Sequence, residues 1–542
     1  VSTELEWHWA TALEAVADTV GDRSAVVQGN RRYTWTQFDD RAARLGAALQ
    51  AAGVAVDAPV AGYLYNCPEF LELWIGAYKV RAVPINVNYR YLSEEVHYVL
   101  DNAEAEALVF HTSLADRVAP VLERLPKLKL LVGVDDGGDI TLVKGAVEYE
   151  ELLAAHEPAP RIARPANDRT MFFTGGTTGM PKGVLGRVGP GVLGLAVTVP
   201  PVLGHPPATT IDDVVAITKA VAGEMDLGSI PACPLMHGTG MTLGALITML
   251  FGGQVALLEG RRFDADELWD LAARESITTV AIVGDPFARP MLASLDAKPR
   301  DDLGGFRFMT SAGAMFSTEM KEGLLRHVPH ITIFDYIAST EAAMGLSIST
   351  AAAIAPTGSF LPNPGVVVFD EHDAPVAAGS GISGIVGVPA EHPDGYFKDS
   401  AKTAATFRDV NGVTYSFPGD WATVEADGTL QLLGRGSQCI NTGGEKVFPE
   451  EVEEVIKRHD AVEDCLIFGV PDERFGQRIA GVYSLREGAH AEPDGVIAAA
   501  RAQLSSYKLP RELIVVDVAP RTSVGKPDYV AAKELFDAAT TS

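Results

Sequence analysis

The hydrophobic positions fall into short apolar runs separated by stretches in which they recur every three or four residues. Runs at 59–65, 107–110, 128–134, 170–173, 279–283, 306–309 and 331–334 read as strands bounded by turn residues. Between them, 39–52, 69–80 and 264–275 carry the helical period. This alternation predicts α/β layers with substantial parallel sheet. Ligands of such sheets gather at the carboxyl ends of strands. The segments at Thr174 and at Tyr336 both follow one.

From about residue 358 to 431 the pattern changes. Short runs at 366–369, 384–388 and 429–433 stand among Gly, Asp and Pro clusters, which predicts a small antiparallel β unit. After Gly434 a third pattern begins. Pro449 opens a helix that is acidic early and basic late, as the helix dipole prefers. Strands at 465–470, 479–485 and 513–518 follow, making a compact α+β module of domain size. The expected organisation is a large N-terminal domain, 1–434, of layered α/β sheets plus the small β unit, and a small α+β C-terminal domain, 435–542. The stretch 202–228 is the least regular. It reads equally as an insertion or flap over a pocket and as an ordinary surface loop. There is no internal repeat.

Residues 230–258 contain no Asp, Glu, Lys or Arg, a length that could span a membrane. Pro231, Pro234, His237, Gly238 and Gly240 break its first half and Gly252-Gly253 its second. A buried helix, a turn and a strand at 254–258 are expected instead, with no membrane span. The 542 residues have the prior of roughly three to four domain-sized units. A net charge of −27 argues against nucleic acid as a partner, because phosphate binding needs clustered Lys and Arg. Cys67, Cys233, Cys439 and Cys465 lack metal spacing and fit reduced thiols. The N-terminus lacks a basic segment before an apolar core. A soluble, cytoplasmic protein is expected.

The chemistry begins at TGGTTGMPKG, residues 174–183. It lacks the Gly-Lys-[Ser/Thr] ending of a Walker A loop: Pro181 precedes Lys182 and Gly183 follows it. Its glycines still suit close approach of backbone N–H groups to an anion. Five further stretches follow in order: PLMHGTG (234–240), SAGAMFS (311–317), DYIASTE (335–341), YSFPGDW with LLGRGSQCINTGGEKVFPEEVE (415–453), and PRTSVGKPDY (520–529). Together the six resemble the adenylate-forming superfamily over nearly the whole chain. In look they are most similar to acyl-CoA synthetases of actinobacterial lipid and steroid side-chain breakdown.

The resemblance implies ATP, Mg²⁺ and coenzyme A, with a carboxylic acid as substrate. The acid attacks the α-phosphate of ATP to give acyl-AMP and pyrophosphate, and a thiol then displaces AMP. Thr174, Gly175, Gly176, Thr177, Thr178 and Gly179 would wrap the β- and γ-phosphates, with Lys182 adding charge. Glu341, with Thr174, would hold Mg²⁺, for which hard oxygen ligands are suited. Gly313, Ala314, Met315 and the run Asp335, Tyr336, Ile337, Ala338, Ser339 and Thr340 would line the nucleotide. The family has Pro at Met315 and Tyr-Gly at Ile337-Ala338. Asp420 would accept from both ribose hydroxyls, with Arg435 nearby. His237, Gly238, Thr239 and Gly240 would border the acyl site. PLMHGTG lacks the Asp with which amino-acid-activating relatives hold an amino group. Lys526 is the expected catalyst of the first half-reaction. Ser437 stands at the hinge about which the small domain swings, bringing Gly443 and Gly444 to a pantetheine tunnel. The family has Asp or Lys at the hinge and Lys at Asn441.

The implied activity is an AMP-forming acyl-CoA synthetase acting on a bulky or long apolar acid. A stand-alone adenylation enzyme that loads a carrier protein and a non-catalytic nucleotide- or acyl-binding relative are the alternatives. A homodimer fits the resemblance.

Overall fold

The computed structural model describes residues 7–176, 179–390, 394–438, 440–442, 445–472, 476–501, 504, 506–522 and 525–540. Its first layer is an all-parallel sheet of five strands in the order Val83–Asn86, Pro59–Tyr63, Ala107–His111, Leu130–Val134 and Val147–Glu148. The chain reverses its direction of winding beside Pro59–Tyr63, and Tyr63, Asn86 and His111 end neighbouring strands at that switch point. Helix Pro68–Lys79 is buried on every side, as an apolar helix between layers must be. Its charged residues are all paired. Arg31 meets Glu69 at 2.5 Å, Arg41 meets Glu72 at 2.7 Å, and Lys79 meets Glu14 at 2.8 Å.

The second layer begins as a parallel sheet. Ser24–Gln28, Gln254–Leu257, Gly228–Pro231, Thr279–Ile282, Phe308–Ala312 and Thr332–Ala338 lie side by side. The expected antiparallel unit is present, but it is not a separate sheet. Ala343–Ser349 turns back along Thr332–Ala338 and passes the ladder through Ser359–Pro362 to Leu430–Arg435 and Asp420–Val424.

Two local expectations change and a third is met. The run at 170–173 belongs to neither parallel sheet: Arg169–Gly176 pairs only with Gly179–Arg187 in a two-stranded hairpin. The stretch 202–228 is not a plain loop. It holds helix Ile211–Glu224, capped by the Thr210 hydroxyl, with Ile211, Val214, Ile217 and Val221 buried beside the first helix, Trp9–Val20. Residues 230–258 form strand Gly228–Pro231, a π-helical stretch Thr239–Leu246 running into Ile247–Leu250, and strand Gln254–Leu257. Among the described residues, no helix is long and apolar enough to cross a membrane.

The C-terminal part has its own five-stranded sheet, in which Gly476–Leu485 lies between Val462–Asp472 and Ile440–Thr442 and also pairs in parallel with Glu512–Val515. It also has its own apolar cluster, built on Ile440, Val452, Ile467 and Tyr483. The architecture is therefore mixed α/β, with a large N-terminal sheet domain and a smaller C-terminal one. The two meet through Arg289–Glu463 at 3.2 Å, Glu319–Arg486 at 3.7 Å, and the Trp421 and Phe448 rings.

Candidate active site

The hairpin sets Thr174 directly across from Lys182, and Gly176 across from Gly179. Thr177 and Thr178 at its tip lie outside the described residues. Its base is fixed by Asn86, at the carboxyl end of Val83–Asn86. The Phe173 amide donates to Asn86 Oδ1 at 2.7 Å, and Asn86 Nδ2 donates to the carbonyls of Phe173 and Met236 at 2.7 and 2.8 Å. One buried amide thus joins the hairpin to the loop that carries His237. Asn66 does similar work on that loop: the Leu235 amide donates to its Oδ1 at 2.8 Å, and its Nδ2 reaches the Cys233 carbonyl at 3.2 Å.

The Nε2 of His237 is buried with no hydrogen-bond partner among the described residues. Burial, then the charges of Lys526 and Arg90, lower its pKa to about 4, so the imidazole is neutral near pH 7. Next in the chain, Gly240 lies so close to the Pro234 carbonyl that a Cβ would stand 2.2 Å from it. Only glycine permits that approach of the π-helical stretch to the loop.

A second group of candidates stands at the strand ends of the second layer. Gly313 follows Phe308–Ala312 with φ +93°. A Cβ there would lie 3.8 Å from Lys526 Cε, 3.8 Å from Val283 Cγ1 and 3.9 Å from Thr239 Oγ1. The catalytic candidate of the C-terminal domain is therefore delivered to the Gly313–Ala314–Met315 turn, beside the segment that follows His237. That turn is braced by the Asp285 amide donating to the Met315 carbonyl at 3.0 Å, and by the Gly284 amide donating to Ser311 Oγ at 3.1 Å.

Local geometry aims Lys526. The Thr522 amide donates to the Lys526 carbonyl at 2.7 Å, and the Gly525 amide donates to the Thr522 carbonyl at 2.9 Å. Gly525 sits at φ +76°, where its missing side chain clears Pro286. Arg521 anchors the turn through Asp464 at 2.5 Å. Burial alone would push the Asp464 carboxyl up, but the Arg521 hydrogen bonds hold it below its ordinary range.

Strand alternation along Thr332–Ala338 separates the nucleotide-side candidates. Asp335 faces the interior, 3.4 Å from the fully buried Lys321 ammonium. Burial raises its pKa to about 7 although Lys321 opposes the shift. Ile337 joins the apolar cluster of the β unit. Tyr336 is on the other face of the strand, next to Ala312 in register. Ala338, the last residue of the strand, and Thr340 beyond it are exposed, and the Ser339 amide closes a turn onto the Ala342 carbonyl at 2.8 Å. Glu341 accepts a hydrogen bond from the Tyr396 hydroxyl, and Lys182 Nζ donates to Asp399. Asp420 opens its strand after Gly419 at φ +102°, in register with Arg435. The side chains of Arg435, Ser437 and Asn441, and all of Gly443 and Gly444, lie outside the described residues.

The structure therefore brings Lys526, Gly313, Thr239 and His237 together. Sequence reading missed Asn66, Asn86, Tyr396 and Asp399. The two asparagines had a signal, since each lies at or just past the carboxyl end of a parallel strand. Among the described residues, no group of three or more His, Cys, Asp or Glu is placed to hold a metal ion.

The sequence profile of the AMP-binding enzyme family matches residues 13–386, and that of the AMP-binding enzyme C-terminal domain matches 451–526. A 3-oxocholest-4-en-26-oate–CoA ligase of Rhodococcus rhodochrous is 38% identical over 547 residues, covering 97% of this chain and 95% of its own. A medium/long-chain-fatty-acid–CoA/3-oxocholest-4-en-26-oate–CoA ligase of Mycobacterium marinum is 38% identical over 545 residues, covering 98% and 96%. Among solved structures, an anthranilate CoA ligase in complex with anthranoyl-AMP superposes with a TM-score of 0.84 at 21% identity, covering 99% of both chains. A benzoate CoA ligase from Burkholderia xenovorans LB400 superposes at 0.81 and 22% identity, covering 97% of this chain and 99% of its own.

Proposed function

The chain belongs to the AMP-binding enzyme family, and from that premise we propose that it joins a carboxylic acid to coenzyme A through an acyl-adenylate, releasing AMP and pyrophosphate. The observation that carries this reading is the placement of Lys526 against Gly313, beside Thr239 and the His237 loop. A compact cation between an acyl site and a nucleotide site offsets the charge that builds as a carboxylate oxygen attacks the α-phosphate. Phosphoryl-type transfer is catalysed mainly by such positioning and electrostatics.

In this reading the Thr174–Gly179 backbone and Lys182 receive the β- and γ-phosphates. Gly313 to Met315 and the segment from Tyr336 to Thr340 border the adenine, and Asp420 with Arg435 receives the ribose. Neutral His237 borders the acyl carboxylate, with Gly238 to Gly240 leaving room for the acyl group. Glu341 and the Thr174 hydroxyl supply hard oxygens, a donor set that fits Mg²⁺ shared with phosphate oxygens rather than an all-protein cage. Bound there, Mg²⁺ would neutralise phosphate charge. The working division is 1–434 and 435–542, with Ser437 at the hinge and Gly443 and Gly444 at the thiol's approach. The names of the relatives support a bulky or long apolar acid, fatty or steroid side-chain.

The test is pyrophosphate and AMP release across short, long-chain, aromatic and steroid acids, each with and without coenzyme A. Acid-dependent release, with a thioester detected by mass spectrometry only when coenzyme A is present, is the expected result. Pyrophosphate without thioester would move the reading to carrier loading. No release with any acid would count against catalysis.

A further inference from the structure

One segment, 394–403, touches both charged groups at the phosphate end of the site. Its backbone extends the hairpin. The Leu185 amide donates to the Gly395 carbonyl and the Phe397 amide to the Gly183 carbonyl, both at 2.8 Å, and Val184 lies opposite Tyr396. Asp399 accepts from Lys182 Nζ and from the Lys402 amide at 2.8 Å. Lys398 is tied to Glu104 at 2.9 Å. The segment is therefore fixed to the same strand that carries Lys182. Within it, Tyr396 is only 7% exposed, its amide donates to Thr403 Oγ1 at 2.9 Å, and its hydroxyl donates to Glu341 Oε1.

Resting on the adenylate-forming reading, we propose that Tyr396 is a positioning residue for the metal-facing carboxylate. Glu341 lies half-buried within the turn that the Ser339 amide closes onto the Ala342 carbonyl. A buried phenol that holds one of its oxygens by a charge-assisted hydrogen bond fixes the carboxylate before ligand arrives and leaves the other oxygen for the cation. Because Tyr396 is paired to the hairpin, the Glu341 carboxylate and the phosphate-facing Lys182 are held in one frame. Two groups that must grip the same Mg²⁺–triphosphate unit are thereby set at a fixed spacing.

The experiment is calorimetric titration of the full chain with ATP, in Mg²⁺ and in EDTA. The wild type, Tyr396→Phe and Lys398→Met are compared. Phenylalanine keeps the buried ring and removes only the donor. The wild type is expected to bind more tightly with Mg²⁺. In Tyr396→Phe that preference should fall by about tenfold, the scale of one hydrogen bond to a charged group, with binding in EDTA unchanged. Lys398→Met cuts the ties of the same segment to Glu104 and the Asn102 carbonyl without touching Glu341 or Lys182, and should keep the preference. An undiminished preference in Tyr396→Phe overturns the assignment while the adenylate-forming reading stands. Equal loss in Lys398→Met also overturns it, because the effect would then belong to the segment at large. If the wild type binds ATP under neither condition, the adenylate-forming reading falls and Tyr396's role falls with it.

Discussion

Replacing Lys526 by alanine removes the cation that the C-terminal domain delivers to the turn at Gly313. Its Cε lies 3.8 Å from where a Cβ on Gly313 would stand, so the ammonium works at about contact range from a group bound against that turn. At about 4 Å, a unit charge pair is worth about 4 kcal/mol at an effective dielectric near 20 and about 1 kcal/mol in water. Lys526 is exposed, so the water value is the lower bound. Substrates that displace water move it toward the upper one. With about 1.4 kcal/mol per tenfold in rate, adenylation should slow between about fivefold and about a thousandfold. Pyrophosphate–ATP exchange measures that step. Transfer from supplied acyl-AMP to coenzyme A measures the second, and should be nearly unchanged if the lysine serves charge on the α-phosphate alone. Equal losses in the two assays would refute this account, since a residue needed only for folding or domain contact lowers both.

Lys321→Met strips the buried Asp335 carboxyl of its countercharge and should push that carboxyl, already raised to about 7, higher still; the stability lost in denaturant unfolding should therefore grow as the pH rises above about 7, and adding Asp335→Asn should remove that pH dependence. Asn86→Leu removes three hydrogen bonds at the hairpin base and should cost about 3 kcal/mol, with a raised KM for ATP in exchange assays. His8 is fully buried, and burial followed by Arg164 lowers its pKa to about 3. The unfolded chain therefore takes up a proton near pH 6.5 that the folded chain refuses. Stability should be complete above about pH 6.5 and fall toward pH 3 by at most about 5 kcal/mol, and His8→Gln should flatten that part of the pH–stability curve.

What could be read from sequence was local or contiguous. The period of apolar positions marked helix Pro68–Lys79 and strand Ala107–His111 to within a residue or two, because helix and strand impose different repeats on the same buried face. The glycine-bearing motifs were legible because backbone that must approach a ligand, or adopt positive φ as at Gly313 and Gly525, restricts residue type over a few consecutive positions.

The tertiary structure alone decided which of these stretches meet. The apolar run at 170–173 reads like any buried strand, and only its ladder shows that it pairs within a hairpin rather than with a parallel sheet. The helix within 202–228 was hidden by the polar and proline-rich residues around it, although its buried face lies against the first helix. Tyr396 and Asp399 carry no motif, since one side chain bridging distant segments leaves no periodic or contiguous trace. Lys526 and Gly313 likewise meet through the docking of one domain on another. Side-chain spacing along a chain records local geometry, whereas the electrostatics of a site depend on distances that only packing creates.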